Sequence, residues 1–398
     1  MCLAKYIQEI CFTEIERGNS REFCGVKIFH ISNDFYNSGV YATLLEGHRQ
    51  HGMDSHFFVS MPKDVPERQT PHVVEAHCFC RGDRYFYLNK QKKVYRAFRP
   101  ILEREKPDLL HGYFLFSAGI SCLWAKQEYG IPYVVTVQNT DIHVIFRYFV
   151  HLRGLGRKIL SEASAVFFPS PAYRSFALTH MVRPEGRTAL EEKSYVMPFA
   201  LNPFWTAHAQ SNRQFPHDGA VRLLTVGRVE RDKNQAGVLK AAELLAQSGM
   251  DVELTAVGAV VDETVEKKLT ASPLVRRVPQ IPKEELIREY RRADIFVMPS
   301  FHESFGLVYA EALSQGVPVL YTAGQGFDGQ FPEGTVGFHV RAEDPMDIAD
   351  GVRRILSDYP LIQSRCTKAA ERFAQDRICG EAEHVYEQIL RNANAAER

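Results

Sequence analysis

An excess of charge of either sign is the first thing this sequence lacks. Its 48 Lys and Arg face 48 Asp and Glu over 398 residues, for a formal net charge of zero. Nucleic-acid binders usually carry a basic surplus, so this balance argues against nucleic acid and fits small or anionic ligands. Cysteine is sparse. The eight residues, at 2, 11, 24, 78, 80, 122, 366 and 379, are scattered where a secreted disulfide scaffold would be short and cysteine-dense. Reduced thiols are expected, and the one close pair, Cys78-Phe79-Cys80, has no second pair at metal-ligand spacing. Long apolar runs are missing too: none reaches the ~18 residues of a membrane span. The first 25 residues mix charges and hold no apolar core, so an N-terminal extension of a cytoplasmic protein is expected there, not a targeting peptide.

What is present is a rhythm. The length favours two domains over one core. From residue 26, β-rich runs such as "VKIFHIS", "SHFFVS", "DLLHGYF", "PYVVTVQ" and "AVFFPS" alternate with helix-like stretches. The pattern pauses over 199–220, "FALNPFWTAHAQSNRQFPHDGA", which reads as a linker. It restarts with "VRLLTVG", "DVELTAVG", "VRRVPQI", "IFVMPS" and "VPVLY", and ends in a helical tail. Such alternation implies βαβ units, parallel sheets and an α/β fold with two doubly wound halves. Ligands of open α/β sheets sit beyond the carboxyl ends of the strands, so chemistry belongs in the loops that lead from strand to helix.

Three features of the second half occupy such loops. In "VGRVERDKN", Gly227-Arg228 ends a strand and Lys233 follows; a guanidinium fork and a point charge together suit a diphosphate, and Gly227 lets a ligand approach the backbone. A solvated loop explains the same residues, and the Walker spacing is absent. In "VMPSFHESFGLVYAEAL", Ser304, Phe305, Gly306 and Leu307 fall where a helix should begin, with unsatisfied N–H groups and a positive dipole end. Ser304 is equally placed to be an ordinary N-cap. The carboxylates of this stretch, Glu303 and Glu311, would be ~12 Å apart on a continuous helix at ~1.5 Å per residue. A glycosidase pair needs ~5 Å or ~6.5–9.5 Å, so the two serve opposite ends of an extended ligand or are simply solvated. In "VRRVPQIPKEEL", Arg277, Val278 and Pro279 lie where a planar base would meet the backbone, or form a plain β–α connection.

Taken together, the motifs over roughly 221–350 resemble the retaining family 4 glycosyltransferases of the GT-B fold. Gly-Arg, a Lys five residues after the Arg, and Glu-x7-Glu around a Phe-Gly turn recur here as Gly227-Arg228, Lys233, and Glu303-Ser304-Phe305-Gly306-Leu307 with Glu311. The resemblance implies that Arg228 and Lys233 hold the donor diphosphate, that Glu303 contacts the transferred sugar, and that Glu311 contacts the ribose. The leaving phosphate would help deprotonate the acceptor on the same face, with retention of configuration. No cofactor and no metal are implied, since the cations are side chains. The domains expected are an extension (1–25), an acceptor-binding Rossmann-like domain (26–205), a donor-binding one (206–375) and a C-terminal helix (376–398) packing back on the first.

The first half resembles the family less closely. One glycine of a usual pair is replaced, giving Ser38-Gly39, and in "PYVVTVQNTDIH" Thr136 and Asp141 match while Gln138 stands where a His is usual. Gln still hydrogen-bonds a sugar but carries no charge. Gly39, Gln138 and Asp141 are therefore the acceptor-side candidates, with His143 as a substitute for the missing His or a packed residue. In "DIHVIFRYFVHLRGLGRKIL" a helix would align His143, Arg147 and His151, with Lys158 beyond, a basic face suited to peripheral membrane contact and a lipid-linked acceptor, or to solvent. The expected partners are a nucleotide-sugar donor and a glycan or lipid-linked acceptor. An epimerase of the same architecture and a non-catalytic nucleotide-sugar-binding protein are the alternatives.

Overall fold

The computed structural model describes residues 25–211 and 219–396; the N-terminal extension and part of the linker lie outside the described residues. Seven strands build the first sheet: β1 (Lys27–Ile31), β2 (Asp54–Pro62), β3 (Val73–Phe79), β4 (Leu109–Tyr113), β5 (Tyr133–Thr136), β6 (Ala165–Phe168) and β7 (Ser194–Val196), in the order β3-β2-β1-β4-β5-β6-β7. Six build the second: β8 (Val221–Val226), β9 (Val252–Val257), β10 (Val275–Val278), β11 (Ile295–Val297), β12 (Val319–Thr322) and β13 (Gly337–Val340), in the order β10-β9-β8-β11-β12-β13. Every pairing between these strands is parallel.

The apolar runs explain this. Strands such as "YVVT" and "AVFF" are buried along their whole length, as a sheet covered by helices on both faces requires. In each sheet the order turns outward from the first strand of the half, so the crevices open between β1 and β4 and between β8 and β11. Those are the topological switch points where such sheets bind ligands.

The chain crosses between halves twice. Phe199, Leu201 and Trp205 already pack into the core of the second half. The helix Gln375–Ala396 returns to the first, where Ile378, Cys379, Ala382 and Tyr386 pack with Tyr41, Leu44 and Phe57. The close approach rests on Gly47, where any Cβ would run into the side chains of Cys379 and Gln375. His51 pairs with both Asp376 (2.6 Å) and Glu383 (2.8 Å), and Tyr386 shares a 2.7 Å hydrogen bond with the buried His111.

The stretch after β5 departs from the expected helix. It forms a π-helical turn over Thr140–Phe146, a 3₁₀ turn over Val150–Leu152 and an α-helix only from Arg153 to Glu162. His143, Arg147, His151 and Lys158 therefore share no single helical face. Arg153 holds the break open by donating to the carbonyls of Phe146 (2.8 Å) and Arg147 (3.3 Å).

Candidate active site in the interdomain cleft

A cavity of about 300 Å³ lies between the two switch points. The first half contributes Asp34, Ser38, Val40, Tyr41 and Gln138; the second contributes Gly227, Lys233, Met298 and the run Glu303 to Val308. A larger depression of about 450 Å³ on the first half involves no strand end; Arg157, Lys158, Arg183 and Lys193 are among its walls. Of the two, only the smaller brings strand-end residues together.

Local structure explains how Lys233 reaches it. β8 ends at Val226 and is followed by Gly227, whose φ of 155° is one that residues with a Cβ rarely adopt. Gly258, after β9, abuts it so closely that a Cβ there would run into the Gly227 carbonyl oxygen. Arg231–Lys233 then forms a 3₁₀ turn that stops at Asn234, left-handed at φ 56°. Asn tolerates that conformation, and its buried amide donates to the carbonyls of Pro299 (3.1 Å) and Ala342 (2.6 Å). The Phe301 N–H donates to the Asp232 carbonyl (2.9 Å), so the loops after β8 and β11 are tied together. The result is an ion pair of 2.7 Å between Lys233 Nζ and Glu303 Oε2, with side chains only 17% and 14% exposed.

The turn after Glu303 is equally determined. The helix begins at Leu307 and its N-cap is Gly306 at φ 78°, not Ser304. A Cβ on Gly306 would collide with the Tyr309 ring. The Ser304 N–H instead donates to Glu303 Oε1 (3.1 Å). The first N–H groups of the helix Leu307–Ser314 have no intrahelical acceptor and, with the dipole, favour an anion in the cavity. Phe305 turns inward and is buried against Phe199, Phe327 and Phe373.

Other candidates are placed elsewhere. Arg228 is 66% exposed, pairs with Glu230 (2.9 Å) and is not among the lining residues. Glu311 also lies outside the lining; it accepts from the Tyr290 hydroxyl (2.9 Å), and burial pushes its carboxyl up to about 7. Arg277 is held by Glu266 (2.8 Å) and donates to the carbonyls of Val278 (2.9 Å) and Gly258 (3.1 Å), while the Val278 carbonyl also accepts from the Gly258 N–H (3.0 Å). Val278 and Pro279 thus sit at a closed strand end beside the cleft, outside the cavity lining.

On the acceptor side, Gln138 lines the cavity and donates to the Tyr41 hydroxyl (3.1 Å). Asp141 does not. Its buried carboxylate accepts from the N–H groups of Leu115 (2.9 Å), Phe116 (3.2 Å) and Gln138 (3.0 Å), and burial raises it to about 6. It shapes the loops after β4 and β5 from beneath. Gly39 begins the helix Gly39–Gln50 with Ser38 as its N-cap. His143 faces His302 at 5.3 Å between ring centroids, beside rather than within the cavity.

Asp34, Tyr41, Tyr173, Gly258 and Gly326, whose N–H donates to the Glu303 carbonyl (3.0 Å), are site residues that no sequence motif singled out. The position of Asp34 just after β1 was a readable signal. The Tyr173 contact with the Glu303 carbonyl was not, since 130 residues separate the two.

Two family models match this chain: Glycosyl transferases group 1 over residues 209–373, and Glycosyl transferase 4-like domain over residues 38–190. The chain belongs to the family 4-like glycosyltransferases of the GT-B fold. Within the family, it is 27% identical over 276 residues to a D-inositol 3-phosphate glycosyltransferase of Nocardioides sp., covering 63% of this chain and 60% of that one. A protein of the same name from Pseudarthrobacter chlorophenolicus is 36% identical over 148 residues, 35% of each chain. The first of these matches spans about three fifths of the relative's length. In fold, a sucrose-phosphate synthase from Thermosynechococcus elongatus superposes with a TM-score of 0.70 at 20% identity, covering 92% of this chain and all of that one. HepE of Anabaena, in complex with UDP and glucose, gives 0.65 at 15% identity, covering 91% and 100%.

Proposed function

We propose that this protein transfers a sugar from a nucleotide-diphosphate sugar to a hydroxyl of a glycan or lipid-linked acceptor, with retention of configuration. The observation that carries the reading is the Lys233–Glu303 pair at 2.7 Å beneath a helix N-terminus, in a cleft walled by both halves. The diphosphate rests against Lys233 and the amides that open the helix Leu307–Ser314, with Arg228 swinging in from solvent. Glu303 binds hydroxyls of the transferred sugar. The bond from the anomeric carbon to the leaving phosphate oxygen breaks, and a new bond forms to the acceptor oxygen on the same face. The acceptor proton passes to the departing diphosphate. Preorganised positive charge on the leaving group is the largest contribution such a site makes, and with side chains supplying it the reaction needs no metal or other cofactor.

The names of the relatives and fold neighbours support this class: D-inositol 3-phosphate glycosyltransferases, and structures with UDP or UDP-glucose. We also assign peripheral contact with an anionic lipid surface to the stretch after β5. Tyr148, Phe149 and Val150 are 67%, 45% and 60% exposed beside Arg147. No helix among the described residues is long and apolar enough to cross a membrane. The contact we assign is peripheral, at the cytoplasmic face.

The test is a thermal-shift screen of UDP, GDP, ADP and their sugar conjugates, with and without EDTA. A ligand at ~100 Kd adds ~2.7 kcal/mol of apparent stability. The expected result is an EDTA-insensitive shift with one nucleotide series that Lys233→Ala abolishes. No shift with any nucleotide on folded protein would refute the reading.

A further inference from the structure

The acceptor wall of the cleft carries a carboxylate among neutral hydrogen-bonding groups. Asp34 enters the cavity from the loop after β1, beside Ser38, Tyr41 and Gln138. Its backbone N–H donates to Ser32 Oγ (3.1 Å), and its Oδ1 accepts from Asn37 Nδ2 (2.8 Å). The loop is thereby fixed, while Oδ2 takes no partner among the described residues. Ser38 Oγ accepts from the Val40 N–H (3.3 Å), which leaves its own proton to donate. Gln138 uses one N–H on Tyr41, which leaves the other and its carbonyl oxygen. Acceptor lone pairs, a hydroxyl donor and an amide thus converge on one wall.

We propose that Asp34 binds hydroxyls of the acceptor and selects an acceptor whose reacting end is a neutral polyol or sugar over one phosphorylated there. The inference rests on the glycosyltransferase reading and deepens it. A carboxylate accepts charge-assisted hydrogen bonds from neighbouring hydroxyls. A phosphate in the same place would meet like charge in a cleft of lowered dielectric, which is costly. Lys233, the cation among the lining residues, belongs to the other half and is paired with Glu303 at 2.7 Å, so that pair brings no net positive charge to the cavity to offset Asp34. Were Asp34 only a turn residue, its carboxylate charge would not affect the choice between the two acceptor types.

The test is calorimetric titration of protein saturated with whichever of UDP, GDP or ADP stabilises it. The titrants are matched pairs: glucose with glucose 6-phosphate, and myo-inositol with myo-inositol 3-phosphate. Wild type should bind the neutral member at least ~10-fold more tightly, and Asp34→Asn should narrow that ratio by ~10-fold. The Asp34→Asn side chain retains an oxygen that can accept from Asn37, and thermal melting checks that the variant is folded. A wild type that prefers the phosphorylated members, a ratio unmoved by the substitution, or no binding of either member while the nucleotide is bound would each overturn the inference alone. Failure of every nucleotide to bind would overturn the donor reading and this inference with it.

Discussion

The hydroxyl of Tyr173, in the first half, donates to the carbonyl oxygen of Glu303, in the second, across 2.5 Å. Ser170 caps the helix Pro171–Phe176 and so fixes the direction of the phenol. Burial raises the phenol well above its usual range, which keeps it a donor. From the second half, Gln325 Oε1 accepts from the Glu303 N–H (3.2 Å) and also from the Tyr173 hydroxyl (3.2 Å), and the Gly326 N–H donates to the same Glu303 carbonyl (3.0 Å). A side chain at Gly326 would run into this backbone. The backbone of the central carboxylate is therefore held from both halves, and only when they are together.

The consequence is measurable in Tyr173→Phe. The ring still fills its pocket, and one hydrogen bond of about 0.5–1.5 kcal/mol is lost, equivalent to at most about a tenfold effect on turnover. Loosening the halves should also admit water, so donor hydrolysis should rise relative to transfer. Product analysis of both reactions checks this. An unchanged hydrolysis-to-transfer ratio would mean that Tyr173 serves stability alone.

Among the described residues, Lys233 supplies the one cation inside the cavity lining. Lys233→Ala should lower turnover by ~10²-fold, as loss of a preorganised charge does. Arg228→Ala should cost less, since that side chain stands in solvent on Glu230. Steady-state release of the nucleotide diphosphate from both variants gives the comparison. A larger loss for Arg228→Ala would reverse the assignment of the main phosphate ligand.

How far the sequence reaches is clear at Lys233 and Glu303. Both were legible because each closely follows a strand whose apolar run is unmistakable, and strand ends are where such sheets do chemistry. The parallel α/β halves were legible for the same reason. The role of Asp141 was not: a motif position looks the same whether its carboxylate faces a ligand or, as here, three backbone N–H groups from two loops. The length of the helix after β5 was misread because apolar residues at helical spacing say nothing of Arg153, which satisfies the carbonyls at the break. Contacts between halves, such as Tyr173 with Glu303, arise only after both have folded, and no local pattern encodes them.

Glu311 gives a pH signature. Burial raises its carboxyl from an ordinary value of 4.5 to about 7, so the folded protein holds a proton that the unfolded chain has released. By linkage, stability is then lost as pH rises through the interval from about 4.5 to about 7 and levels off above it. Glu311→Gln keeps an acceptor for the Tyr290 hydroxyl and removes the titration. Its melting temperature relative to wild type should therefore rise from pH 5, most steeply up to 7, and level off by about pH 8. A constant difference throughout would show that the carboxyl is not held protonated. In kinetics, Glu311→Ala should raise the donor KM more than it lowers kcat if the residue reaches the ribose.

The stretch after β5 tests the membrane assignment. Tyr148, Phe149 and Val150 stand in solvent beside Arg147, and Arg157, Lys158 and Arg183 rim the neighbouring depression. Aromatic rings insert at the level of lipid headgroups, and each basic residue near an anionic surface adds about 1 kcal/mol of attraction that salt screens. The protein should co-sediment with vesicles of phosphatidylcholine containing phosphatidylglycerol and much less with phosphatidylcholine alone. Binding should weaken at high salt and fall by at least ~30-fold in Arg147→Glu combined with Lys158→Glu, at ~1 kcal/mol for each basic charge removed. Tyr148→Ala with Phe149→Ala should weaken it on both vesicle types, because those rings contribute apolar burial and no charge. Binding that ignores lipid charge and all four substitutions would place the membrane contact elsewhere on the protein, whereas self-association of the soluble protein that the aromatic substitutions abolish would make this face an interface between copies of the chain.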